Sequence, residues 1–180
     1  MRLAEWEGGS TDVRLTDTGE RSSCGDTAMS EENGTCKVRL TLTSRQDYRG
    51  SGQGLMQSAD TYTAVYRWDG SRHVLCYEES DPESGAVTAV RMTIAEDRMV
   101  IERKGAVRAT IELEPEQDRI CRYETPFGVI PMTFRTTKLT VSSSNRAGGT
   151  DLTARAFYSI RQEGTEAVRC AVTVRVQAAE

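Results

Sequence analysis

The sequence predicts an all-β domain, a closed antiparallel up-and-down barrel of about eight to ten strands. Three observations predict it. Apolar and polar residues alternate with period two through most of residues 61–177, as in Tyr62-x-Ala64-x-Tyr66-x-Trp68 and Val168-x-Cys170-x-Val172-x-Val174-x-Val176, the mark of strands with one dry and one wet face. Short Gly, Pro and Asp turns separate the runs, so consecutive strands are antiparallel neighbours. Almost nothing carries the spacing of an amphipathic helix. A meander of this length must close, or pair into a sandwich, to remove its edges.

The strands follow in order. Lys37–Thr43 sets Val38, Leu40 and Leu42 on one face. Residues 44–55, which include Gly50-Ser51-Gly52-Gln53-Gly54, read as a flexible loop. A second strand runs from about Met56 to Trp68 and meets Asp69-Gly70, a hairpin signal because both positions tolerate positive φ. The return is His73–Glu79, and Asp81-Pro82-Glu83-Ser84-Gly85 turns into Val87–Ile94. Glu96-Asp97 leads to Met99–Arg103. Gly105 then lies between two strand runs, where a bend or tight turn needs it. Val107–Leu113, Arg119–Glu124, a long Val129–Val141 with a bend expected at Thr136-Thr137, Leu152–Ile160 and Ala167–Val176 complete the set.

At 180 residues the chain is one domain, 36–180, with a tail, and it can bury a core without staples. Residues 1–35 lack periodicity and carry three arginines against eight acidic residues, a balance of −5. They read as an acidic, disordered N-terminal tail. The remainder is close to neutral, which gives no electrostatic reason to expect nucleic acid or an anionic membrane, and neither is expected as a partner. Cys24, Cys36, Cys76, Cys121 and Cys170 are odd in number, widely spaced and without C-x-x-C, which argues against a disulfide framework or structural zinc. Cys76 and Cys170 read as small core residues. No apolar stretch marks a signal peptide near the N-terminus, and none reaches membrane-spanning length. The expected compartment is the cytoplasm.

Tyr77-Glu78-Glu79, Arg103-Lys104-Gly105-Ala106-Val107 and Tyr123-Glu124-Thr125-Pro126-Phe127-Gly128 fall in one order, with Thr136 and Tyr158 after them. Together they resemble the YwiB-like family of small bacterial proteins, a domain of unknown function, over roughly residues 36–178. The resemblance implies a calycin-type barrel similar to lipocalins and fatty-acid-binding proteins. It implies no activity. The first 35 residues lie outside it, and the loop at 50–54 is longer than its pattern needs.

No catalytic or metal site is predicted, and no cofactor. His73, the one histidine, follows a turn and reads as solvent-exposed; a single histidine builds neither a triad nor a metal cluster. The 50–54 glycines lack the Gly-Lys-Ser/Thr of a phosphate loop. Glu78 and Glu79 are adjacent in a strand and point to opposite faces, so they cannot share a site. Arg103 is sharper. It shares a face with Met99 and Ile101, and an inward guanidinium must meet a carboxylate, carbonyls or a ligand anion. Tyr77 and Glu79 share one strand face, and Tyr123 and Tyr158 lie on apolar-rich faces. Arg103, Tyr77, Glu79, Tyr123 and Tyr158 are therefore the candidate ligand-binding residues, for a small, partly apolar, carboxylate-bearing molecule. The alternatives are a structural Arg–Glu pair closing one barrel end, or a bulge at Gly105 that turns Arg103 to water. The functional expectation is a non-enzymatic binding barrel; a side-chain-filled structural or protein-interaction barrel is its competitor.

Overall fold

The computed structural model describes residues 34–48, 54–146, 149–163 and 165–179. The expected acidic tail lies outside the described residues except for Gly34 and Thr35, as does most of the glycine loop before Gly54. The described chain forms ten antiparallel strands and no helix. They are β1 (Thr35–Tyr48), β2 (Gly54–Trp68), β3 (His73–Ser80), β4 (Val87–Ile94), β5 (Met99–Gly105), β6 (Ala109–Leu113), β7 (Asp118–Thr125), β8 (Gly128–Arg146), β9 (Gly149–Gln162) and β10 (Thr165–Ala178). Most coincide with the expected runs, but residues 44–48 and 54–55, expected in a loop, are strand, because the β1–β2 ladder continues to Tyr48 opposite Gly54.

One sheet holds all ten in the order β6-β5-β4-β3-β2-β1-β10-β9-β8-β7. Its two ends meet, so the sheet curls into a nearly closed barrel. The seam between β6 and β7 is thin: Arg108 and Glu124 exchange two backbone hydrogen bonds, at 3.0 and 2.8 Å, as an isolated bridge. Side chains supply the rest. Arg119 of β7 pairs with Glu114, and its Nε lies 3.9 Å from Glu112 of β6, which Arg98 also reaches. Below the seam Glu116 donates its N–H to the Thr136 carbonyl at 3.0 Å.

Alternation fixes what fills the interior. At one end Ile94, Met99 and Leu113 stand in one rung, and Leu75 and Met92 in the next, all essentially inaccessible. Burying each such side chain contributes about 1.5–3 kcal/mol before its ordering cost. Val38, Leu40, Leu152, Val174 and Val176 close the opposite wall. The bend expected at Thr136-Thr137 is a β-bulge. The β8–β9 register shifts between Thr136 and Lys138, and Thr137 Oγ1 donates to the Phe157 carbonyl at 3.1 Å.

His73 and Cys76 depart from expectation, and the hairpin expected at Asp69-Gly70 is present. His73 is buried, not exposed: its ring lies between Tyr66 and Trp68, with centroids 5.9 and 4.5 Å away, and Nδ1 is 2.9 Å from the Tyr66 hydroxyl. Asp69-Gly70 belongs to a four-residue turn, 69–72, in which the Asp69 carboxylate accepts from the N–H groups of Ser71 and Arg72. That turn lets His73 enter the first rung of the sheet opposite Trp68. Cys76 lies on the outer face of β3, half-buried between the inward Leu75 and Tyr77; Cys170 is in the core as expected.

Gly105 ends β5 at φ +152°. A Cβ there would stand 2.4 Å from the Val87 carbonyl oxygen and 2.8 Å from the Thr88 Cα. Two backbones approach at this point more closely than any side chain permits, so the glycine is required on steric as well as torsional grounds.

Candidate functional site

The apolar layers stop at the rung that carries Tyr77, Val90, Arg103 and Ala109 on β3, β4, β5 and β6. Beyond it the interior turns polar. Met99, Ile101 and Arg103 do share the inward face, and the Arg103 side chain is 17% exposed. Its Nη2 donates to Glu79 Oε1 at 3.2 Å. The Tyr77 hydroxyl donates to the same oxygen at 3.4 Å, a long contact. Glu78, the next residue, is exposed, as alternation requires.

The guanidinium is only partly satisfied. Nη2 serves Glu79, and the Tyr123 phenol stands near enough to favour the charge. Nε is buried with no partner among the described residues. A two-pronged arginine–carboxylate pair would use parallel N–H groups; here a single 3.2 Å contact leaves donor capacity unused.

Burial disfavours the Arg103 charge, but Glu79, Tyr123 and Tyr77 outweigh it and its pKa is raised. The guanidinium stays charged. Burial raises the Glu79 pKa above the ordinary carboxylate value even with Arg103 and Tyr77 opposing it. Burial likewise pushes the Tyr77 phenol far up, with Glu79 adding to it. The pair is an arginine holding its proton beside a carboxyl group that takes one easily.

The five residues singled out from the sequence do not form one cluster. Arg103, Glu79, Tyr77 and Tyr123 come together. Tyr158 stands on β9, opposite Cys170 and Thr136, with its ring 5.8 Å from Phe134. It pairs directly across the ladder with Cys170, and burial drives the Cys170 thiol up to about 11. Tyr158 therefore lines another part of the interior and feels Arg103 only through its charge. Beside Tyr158, the buried Thr136 Oγ1 has no partner among the described residues.

Tyr62 is a member that the sequence reading did not single out. Its ring lies 4.8 Å from that of Tyr77, and burial and Glu79 raise its phenol to about 12. The signal was present in Tyr62-x-Ala64-x-Tyr66, which puts Tyr62 on the inner face. The site is thus an arginine–glutamate pair walled by Tyr62, Tyr77 and Tyr123, one rung above a sealed apolar core. Chemically it can hold an anion or hydrogen-bonding head group while an apolar body rests on tyrosine rings. The described residues contain no group of three His, Cys, Asp or Glu able to hold a metal ion.

The family model described as "Domain of unknown function (DUF1934)" matches residues 34–174. The barrel is similar to the crystal structure of the ywiB protein from Bacillus subtilis, with a TM-score of 0.67 at 15% identity, covering 81% of this chain and 94% of that one. At that identity the likeness speaks for the fold. No curated protein matches the chain. No helix among the described residues is long and apolar enough to cross a membrane.

Proposed function

Since the chain belongs to the DUF1934 family, with the YwiB-like barrel as its fold, we propose that it is a cytoplasmic, non-enzymatic binding protein that holds a small carboxylate-bearing molecule at the polar end of its interior, as calycin barrels do. The observation that carries this reading is the buried Arg103 Nε, a charged donor without an acceptor among the described residues. An unmet buried donor on a charged group costs more than the usual ~1–3 kcal/mol, and a ligand carboxylate would remove that cost. Tyr62, Tyr77 and Tyr123 would flank its apolar part, and Glu79 would yield by taking a proton or turning aside.

One observation favours the competing reading of a structural barrel. Leu40, Leu75, Met92, Ile94, Met99, Leu113, Leu152 and Val176 pack with essentially no exposure, which supports a side-chain-filled interior and would leave only the polar end for a small ligand.

The test is native mass spectrometry of the protein purified from its own host, followed by calorimetric titration of the stripped protein with decanoate and benzoate as probes. A retained acid, or binding that Arg103→Met abolishes while the fold persists, is the expected result. No retained mass, with no heat from either probe, would favour the structural barrel.

A further inference from the structure

The outer wall of β1, β10, β9 and β8 is unlike the rest of the barrel. Register places Arg39 opposite Gln177, Arg175 opposite Thr153, Arg155 opposite Thr140 and Phe157 opposite Lys138. Arg39, Arg175, Arg155 and Lys138 therefore lie on one diagonal, each one strand over and two residues along from the last. All four are exposed, and the residues flanking Arg39, Arg155 and Arg175 in their strands point into the core. One strand spacing and two residues along a strand give a step of about 8 Å between neighbouring cations.

The four cations of the diagonal differ from the other arginines of the barrel. Off the diagonal, Arg91, Arg98, Arg103, Arg119, Arg135 and Arg161 each face a carboxylate. None of the four diagonal cations makes an ion pair with a described residue. Among the described side chains two acids share the face: Asp151 beside Gln177 and Asp47 at its far end. Thr41, Thr43, Thr153, Thr173 and Thr140 fill the positions between, all able to donate hydrogen bonds. A shallow cleft of about 410 Å³ opens between Arg155 and Arg175.

An aromatic ring stands in the same place. Phe157 is 44% exposed on this outer face, two residues from Arg155 and directly across from Lys138. Its neighbour on the other side is Ala171, with Arg45 one strand further, so nothing bulky covers the ring on that flank. The Thr137 bulge fixes its backbone.

We infer that this wall binds single-stranded nucleic acid, with phosphates along the Arg39–Arg175–Arg155–Lys138 diagonal and a base stacked on Phe157. A file of unpaired cations tracks a phosphodiester backbone, and an exposed ring among them gives a base a face on which to stack. The near-neutral charge of the whole domain concealed this, because its acids gather at the β6–β7 seam and on β3–β4. The inference is independent of the interior site.

The test is fluorescence anisotropy of the full-length protein with a labelled oligo(U) of about 12 nucleotides. Four phosphate contacts give a log–log salt slope near about −3, so affinity should fall roughly 50-fold between 50 and 200 mM salt. Arg155→Ala with Arg175→Ala should halve that slope. Phe157→Ala should weaken binding about 5- to 150-fold at unchanged slope. If the double variant does not fold, Arg39→Ala, which should reduce the slope by about one quarter, replaces it. No binding by about 100 μM protein at 50 mM salt would overturn the inference. So would equal affinity for heparin oligosaccharide with no effect of Phe157→Ala, which would mark an unselective polyanion surface.

Discussion

Glu79 and Arg103 belong to strands that do not touch. β4 lies between β3 and β5, yet Arg103 Nη2 reaches Glu79 Oε1 at 3.2 Å. The bond spans the intervening strand on the inner side, over Val90, which is fully buried. Three strands are tied by one contact, and the barrel's apolar layers stop against it.

Removing one partner should therefore cost more than removing both. Arg103→Met is expected to destabilise the protein by about 3–5 kcal/mol at pH 7, because Glu79 is left charged and buried. Adding Glu79→Gln should recover most of that loss. Urea midpoints of the single and double variants check it; equal midpoints for Arg103→Met and wild type would show that the pair contributes nothing to the fold. The double variant should still fail to bind a carboxylate probe, which separates binding from stability.

The pH dependence of Arg103→Met follows in sign. Burial raises the folded pKa of Glu79 above its unfolded value near 4.5. The folded state then binds more protons than the unfolded chain just above that value, so stability is highest below about 4.5 and falls as pH rises through the folded pKa. Without Arg103 the folded pKa rises further and the fall steepens. Denaturation of Arg103→Met at pH 5 and pH 7 should show a smaller deficit against wild type at pH 5.

His73 works in the other direction. Burial lowers its folded pKa below the usual 6.5, against a smaller opposing influence of Asp69. The unfolded chain binds the extra proton first, so the His73 contribution is complete above about 6.5 and is lost as pH falls through the folded value. As the sequence holds one histidine, its imidazole resonance is unambiguous by NMR. A titration midpoint below 6.5 is expected; a midpoint at or above it would mean the ring is not held between Tyr66 and Trp68.

Gly105→Ala should destabilise by at least about 1–3 kcal/mol, through positive φ and a Cβ forced onto the Val87 carbonyl. Thermal melting reads this directly, and an unchanged Tm would show that the β4–β5 approach relaxes without strain.

Thiol chemistry should sort the cysteines by burial. Cys36 is exposed, whereas the Cys170 thiol is buried and pushed up to about 11. At pH 8 a maleimide should modify Cys36 long before Cys170, because the thiolate is the reactive form. Peptide mapping after brief labelling tests the order.

Nearly every strand was legible in the sequence because a barrel wall has one dry face, and period two records it. The inward direction of Arg103 followed from Met99 and Ile101 for the same reason. Pairings across strands were not legible. His73 looked exposed because it follows a turn; that Trp68 and Tyr66 would cover it depends on the register of β2 against β3. Cys76 looked like core because apolar residues surround it, but Leu75 and Tyr77 take the inner positions. Tyr158 was grouped with Arg103 because both face inward, although the β8 bulge and the β9–β10 pairing place it against Cys170. The cationic diagonal is invisible in a linear chain: its four members come from four strands, and only register aligns them.

The order of strands around the barrel has a kinetic meaning. Read from β7 through β10 to β1 and on to β6, every ladder neighbour but one is also a neighbour in sequence. The exception is β1 with β10, which pairs Val38 with Ala178 and continues for ten residues to Asp47 with Arg169. All the loop-closure entropy of the topology is thus concentrated in a single late event. On a ribosome the first strand made must wait, its edge open, for the last. A circular permutant cut in the 114–117 turn, with the ends near 35 and 178 joined, would be an unbroken meander, folding faster to the same barrel.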